Sequence, residues 1–280
     1  MDLSISMYSL NRVIADKKVD LPGFIRFAKE QGVDAVELLW IYWGSDLERE
    51  IDETKELLSE LDLKISAYDA GNNFVTPDVK DRKTQIEHVK ECIDVAAKLG
   101  APTVRVFCGD SSNKDPEFIK KSTEWIVESF KECTPYAEDK GIKLGIENHG
   151  LFAGKSYQLI EIMDKVGSPN LGLTFDTGNF LLVDEDPGKA IEIVKDKVFH
   201  VHFKDFVPVS KDASGARIYR SLEGKTYKAC IGGKGAVDLK KISRVLKENG
   251  YEGWLSIEFE GPEDPFLGTE ESVKFAKGLI

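Results

Sequence analysis

Short apolar, β-branched runs alternate with longer amphipathic stretches along the whole 280-residue chain. The runs near residues 3–8, 35–39, 64–68, 103–107, 143–147, 171–176, 198–204 and 254–259 read as strands. Between them the spacing is helical: Ile86, Val89, Ile93 and Ala96 form one apolar stripe, and Ile126, Phe130, Cys133 and Ala137 another. Strand and helix alternating through eight rounds predict an α/β fold, a parallel (β/α)8 TIM barrel, as one domain over residues 1–280.

The punctuation agrees with this period. Thr76-Pro77, Asp115-Pro116 and Asp186-Pro187 each offer a capping oxygen before a proline suited to the first helical position. Gly32, Gly100, Gly141, Gly167 and Gly250 each follow a helical run and precede a strand, as left-handed caps do. The segment 206–237 breaks the rhythm, since barrel connections usually take only about two to six residues. It carries Lys211, Arg217, Arg220, Lys225, Lys228 and Lys234, and its end, Gly232-Gly-Lys-Gly235, reads as flexible. Such a loop suits a lid, and its charges suit either a phosphate or carboxylate on a substrate or a solvated face.

Composition narrows the partners. A formal charge of -11 repels phosphate backbones and anionic lipid surfaces, so neither nucleic acid nor membrane is the expected partner. No window approaches the roughly 18 apolar residues of a membrane span, and no signal peptide is visible at Met1-Asp-Leu-Ser-Ile-Ser-Met7. Cys92, Cys108, Cys133 and Cys230 are widely spaced and read as reduced filler, which suits a cytoplasmic protein.

Barrel chemistry collects at the C-terminal ends of strands. Those ends offer Glu147, Asp176, His202 and Glu258 on four consecutive strands. Three carboxylates and an imidazole suit one divalent ion, Mn2+ first, then Mg2+, Co2+ or Zn2+. Alternation in His200-Val-His-Phe-Lys-Asp205 puts His200, His202 and Lys204 on one face, and His149 shares a side with Glu147. His149 and Lys204 are candidate acid or base groups, with the lysine able to titrate downward beside a cation. Arg105 either binds a substrate oxyanion or pairs with a neighbouring strand's carboxylate. Tyr8, Trp40, Tyr42, Trp43, Tyr68 and Phe74 fall after the first three strands, where some would wall a sugar-sized pocket and others only pack. Glu37 reads as a structural partner within its strand.

The stretches Gly145-Ile-Glu-Asn-His149, Phe175-Asp-Thr-Gly-Asn179, His200-Val-His-Phe-Lys-Asp205, Ser256-Ile-Glu-Phe-Glu260 and Gly233-Lys-Gly235 together resemble the xylose isomerase-like TIM-barrel superfamily of sugar phosphate isomerases and epimerases. The resemblance implies a metal held at the positions of Glu147, Asp176, His202 and Glu258. It also implies a proton taken beside a carbonyl by one glutamate and returned by the other through an enediolate. A small carbohydrate would be the substrate, and barrels of this type often pair as homo-oligomers. Two departures stand out: ketose 3-epimerases carry His where this chain has Asn179 among its substrate-side residues, and Arg where it has Pro208. The pairs Glu147-x-His149 and His202-x-Lys204 resemble the dehydratase members instead, which act on an inosose or cyclic keto acid. An endonuclease IV-like site would need more than the four histidines present, and a non-catalytic binding module is the remaining alternative.

Overall fold

In the computed structural model, which describes residues 1–215 and 217–280, eight parallel strands close into a barrel. In chain order the strands are β1 (Asp2–Ser6), β2 (Ala35–Leu39), β3 (Lys64–Asp69), β4 (Thr103–Val106), β5 (Lys143–Glu147), β6 (Leu171–Asp176), β7 (Val198–Phe203), β8 (Asp205–Pro208), β9 (Ile218–Arg220), β10 (Thr226–Cys230) and β11 (Trp254–Ile257). The barrel order is β1-β11-β7-β6-β5-β4-β3-β2, closed by β1 pairing with both β11 and β2. This is the predicted (β/α)8 architecture.

Side-chain alternation divides the strands into two layers. Outward residues such as Leu3, Ile5, Val36, Leu38, Leu144, Ile146, Val201 and Phe203 are fully buried against the surrounding helices. Each such side chain contributes roughly 1.5–3 kcal/mol. The inward layer is small and polar: Ser4 and Ser66 meet with their Oγ atoms 2.6 Å apart, and Thr174 Oγ1 donates to the Gly145 carbonyl. At the floor, a Cβ on Gly172 would come within 2.5 Å of the Phe199 ring, so only glycine fits under that plug.

Aspartates cap the helices Pro116–Asp139 and Pro187–Val194 as expected, Asp115 accepting from Phe118 N and Asp186 from Lys189 N. Thr76-Pro77 does not start a helix. Asp78 takes that role, accepting from the Lys80 and Asp81 N–H groups, and the helix runs Val79–Leu99. The five predicted glycine stops, Gly32, Gly100, Gly141, Gly167 and Gly250, all have φ between 63° and 78°.

The segment after β7 is not a loose loop. β8, β10 and β9 form a separate antiparallel sheet in that order, and Phe206, Tyr227 and Ala229 make a small apolar cluster with Leu181, Leu182 and Tyr219. Strands of three to five residues are too brief for periodicity to reveal. The glycine run is pinned as well: the Asp205 carboxylate accepts from the N–H groups of Phe206, Gly233, Gly235 and Val237. Asp205→Ala would leave four donors without this acceptor, each costing about 1–3 kcal/mol where buried. Thermal unfolding of that variant is expected to begin many degrees lower, and an unchanged midpoint would contradict the anchoring role.

The segment's cations are largely spent on protein acceptors. Arg217 reaches Glu260 and Asn11, Arg220 donates to the Lys211 carbonyl, Lys225 pairs with Asp184 and Lys234 faces Glu271. Arg220 meets only neutral oxygens, so both expectations for these charges stand. Among the described residues no helix is long and apolar enough to cross a membrane.

Candidate active site

The strand ends bring the expected residues together at the C-terminal mouth of the barrel. Glu147 is the last residue of β5, Asp176 the last of β6, His202 lies one residue before the end of β7, and Glu258 directly follows β11. Ligand atoms of Glu147, Asp176 and His202 all lie within 4.8 Å of one another. His202 Nδ1 is 3.4 Å from Glu147 Oε2 and 3.6 Å from Glu258 Oε2.

Around this centre each group is held from behind. The Asp176 Oδ1 atom accepts from the N–H groups of Gly178 and Asn179, which leaves Oδ2 facing the mouth. The Asn179 amide donates to Glu147 Oε1 at 3.0 Å. On the far side of the imidazoles, the Glu37 carboxylate meets His202 Nε2 at 2.6 Å and His200 Nε2 at 3.0 Å. Burial acts to raise the Glu37 carboxyl, but the two imidazoles outweigh it and hold it well below the usual range.

Lys204 enters from the same face of its strand as His202, as alternation predicts. Its Nζ lies 3.0 Å from Asp176 Oδ2, 2.6 Å from Glu258 Oε2 and 2.6 Å from Glu260 Oε1. Burial would lower its pKa, yet these carboxylates prevail and raise it well above the ordinary lysine value. Glu258 moves upward, chiefly through burial and against the pull of Lys204 and His202.

Asp176 Oδ2, His202 Nδ1 and Glu258 Oε2 are all buried and, among the described residues, none has an aligned hydrogen-bond partner. Buried polar atoms whose hydrogen bonds are left incomplete are costly, and Lys204 is shared between the two carboxylate oxygens here. The surroundings also hold more buried carboxylates, Glu37, Asp69, Glu147, Asp176, Glu258 and Glu260, than the cations Arg105, Lys204 and Arg217 can balance. An oxygen-rich donor set with one imidazole and surplus negative charge fits a divalent cation.

Arg105 proves to be the ion-pair partner. It donates to Asp69 Oδ2 at 2.9 Å and to the Ala70 carbonyl, lies 3.3 Å from Glu147 Oε2 and stacks over Phe107. It braces Glu147 and also lines the chamber at the mouth. Tyr68 is another correction. Ser66 is an unpaired extra residue between β2 and β3, and this bulge turns Asp69 to the mouth and Tyr68 back toward Trp43 in the helix layer. Tyr68 is buried there and lines no pocket at the mouth.

The remaining candidates do line the mouth. A chamber of about 260 Å³ is bounded by Tyr8, Glu147, His149, Lys204, Glu258 and Glu260, with Trp40 at its edge. Trp40 is 42% exposed and packs edge-on against His88, close over Gly71, where a Cβ would come 2.1 Å from its indole nitrogen. His149 is exposed, beside the Phe107 ring. Sequence reasoning passed over Glu260, although Glu258-x-Glu260 continues the alternation. Asp69 was hidden by the bulge, and Tyr219 by its place in the inserted sheet.

The sequence profile described as xylose isomerase-like TIM barrel matches residues 25–279. An inosose dehydratase of Clostridium perfringens (strain 13 / Type A) is 26% identical over 249 residues, covering 84% of this chain and 82% of that protein. Among solved structures, the IOLI protein with a bound zinc atom matches with a TM-score of 0.79 at 22% identity, over 100% of this chain and 96% of that one. D-allulose 3-epimerase from Methylomonas sp. in complex with D-allulose matches with a TM-score of 0.77 at 17% identity, over 100% and 97%.

Proposed function

Since the chain belongs to the family of xylose isomerase-like TIM barrels, we propose that it is an isomerase or epimerase of a small carbohydrate, working by proton transfer at the carbon beside a carbonyl. One observation carries this reading. Two glutamates from β5 and from just after β11 approach His202 Nδ1 at 3.4 and 3.6 Å from either side along the barrel wall. A substrate carbon placed between them would meet one carboxylate that takes a proton and another that returns it.

Glu147, Asp176, His202 and Glu258 would hold a divalent metal, Mn2+ by preference, and the zinc bound by the structurally similar IOLI protein supports a divalent ion. When bound, such an ion polarises a carbonyl and offsets the charge that develops on its oxygen. The chain's own groups do the rest. Asn179 and Arg105 fix the two oxygens of Glu147, Lys204 fixes Glu258, and Tyr8 and Trp40 border the chamber.

A second reading, loss of water from an inosose or cyclic keto acid, is favoured by the inosose dehydratase relative. It needs a group to protonate the departing hydroxyl. Lys204 is tied to three carboxylates, so exposed His149 is the better placed of the two candidates.

Proton NMR of the Mn2+-loaded protein in D2O, with ketoses, ketose phosphates, inososes and cyclic keto acids, tests both. Deuterium beside the carbonyl with a new epimer or aldose is the expected result. An enone or diketone would move the protein to the dehydratases, and no exchange with any of them would count against both.

A further inference from the structure

The catalytic chamber opens into a second one of about 470 Å³, with which it shares Tyr8, His149, Lys204 and Glu260. The barrel strands do not form this outer chamber by themselves. Arg220 and Leu222 come from the inserted segment, Leu182 and Val183 from the end of the short helix after β6, and Lys114 from the loop ahead of the helix Pro116–Asp139. The first two walls are fastened to each other. Leu222 N–H donates to the Leu182 carbonyl at 3.1 Å, Glu223 N–H to Asp184 Oδ2 at 2.8 Å, and Lys225 Nζ lies 2.9 Å from Asp184 Oδ1.

The charges of the lining fall into two groups. Toward the barrel, Lys204 is engaged by Asp176, Glu258 and Glu260, and Glu260 also meets Arg217. Toward the rim stand Lys114 and Arg220, and among the described residues neither is paired with a carboxylate. Arg220 is steered by neutral oxygens alone: its Nη1 donates to the Lys211 carbonyl at 3.1 Å and to Oγ1 of Thr226, its partner across the β9–β10 pair, at 3.3 Å. The other donors of its fork are left for a ligand.

One carboxylate shares this rim, that of Asp110, whose Oδ1 accepts from the Ser111 N–H at 2.8 Å. Two cations against one carboxylate leave a single positive charge in excess. An uncharged occupant would leave that charge unanswered, and a phosphate, close to dianionic at neutral pH, calls for more converging cations than the rim supplies. A carboxylate carries the matching single charge, and the planar guanidinium fork fits its two oxygens.

We infer that the outer chamber holds a carboxylate carried by the substrate at the end away from its carbonyl, with Lys114 and Arg220 as its charged partners. The substrate class is then a keto sugar acid, in preference to a free ketose or a ketose phosphate. This rests on the reading of the inner chamber as the site of the carbonyl.

Isothermal calorimetry on the Mn2+-loaded chain would compare D-fructose, D-fructuronate and D-fructose 6-phosphate, one keto sugar with a different group at its far end. D-fructuronate is expected to bind about tenfold or more tightly than D-fructose, the worth of a charge-assisted hydrogen bond, and more tightly than the phosphate. Its margin should shrink as salt is added, because Lys114 and Arg220 are both exposed. Lys114→Gln changes an exposed loop side chain, so the fold is not at stake, and it should cut the margin severalfold. Combined with Arg220→Gln it should abolish the margin. Equal affinities, absence of binding, tightest binding of the phosphate, or a margin that survives the paired substitution would each overturn the inference. Calorimetry needs no turnover, so the two readings fail separately. A carboxylate margin without proton exchange in D2O sinks the catalytic reading alone, and exchange on D-fructose without the margin sinks the subsite alone.

Discussion

Replacing Glu258 with Gln is expected to lower the rate of solvent deuterium incorporation by about 10²–10⁴-fold, the usual worth of a positioned acid or base. The side chain keeps its shape but loses its ability to exchange a proton and half of its strength as an oxygen donor. The barrel should stay folded, because Lys204 retains Asp176 at 3.0 Å and Glu260 at 2.6 Å. Removing Glu147 is a harsher change. Arg105 would keep only Asp69 as a carboxylate partner, and the single amide oxygen of a glutamine could face Arg105 or accept from Asn179 but not both, so Glu147→Gln should cost stability as well as rate. A Glu258→Gln protein that binds metal and exchanges at the wild-type rate would remove that residue from the chemistry.

Glu147, Asp176, His202 and Glu258 were legible because a strand-then-helix repeat marks each strand's end and barrels gather function there. Lys204 followed from alternation with His202. Where the period of two is interrupted, legibility fails: the extra residue at Ser66 exchanges the faces of Tyr68 and Asp69, and nothing in that stretch announces a bulge. The inserted sheet was missed for a different reason. Its strands are short, and their stability comes from fastening to Leu182, Asp184 and Asp205 rather than from a local pattern. Contacts across the barrel are illegible in principle, since they exist only once the barrel closes. Glu37 on β2 meets His200 and His202 on β7 although β1 and β11 stand between these strands in the wall.

That cross-barrel contact carries the second large expectation: Glu37→Gln should weaken Mn2+ binding by about 10–100-fold, the range seen when a carboxylate behind a metal-ligating histidine is lost. With Glu37 ionised, His202 donates its Nε2–H to Oε1, which turns Nδ1 to the side of Glu147 and Glu258, the groups that would hold the ion with it. The second oxygen does the same for His200. An amide has one acceptor oxygen, so Gln can serve one imidazole while its NH2 group opposes the other. The fully buried His202 ring then loses its preferred orientation, and the ligand set is no longer prepared before the ion arrives. Glu37→Ala goes further, leaving both Nε2 donors without that acceptor, and is expected to lower thermal stability in the presence of a chelator as well. Titration of free Mn2+ by electron paramagnetic resonance reads the first effect, and unfolding in chelator reads the second. If Glu37→Gln bound Mn2+ with wild-type affinity while losing stability, the carboxylate would be a packing contact with no part in arranging the site.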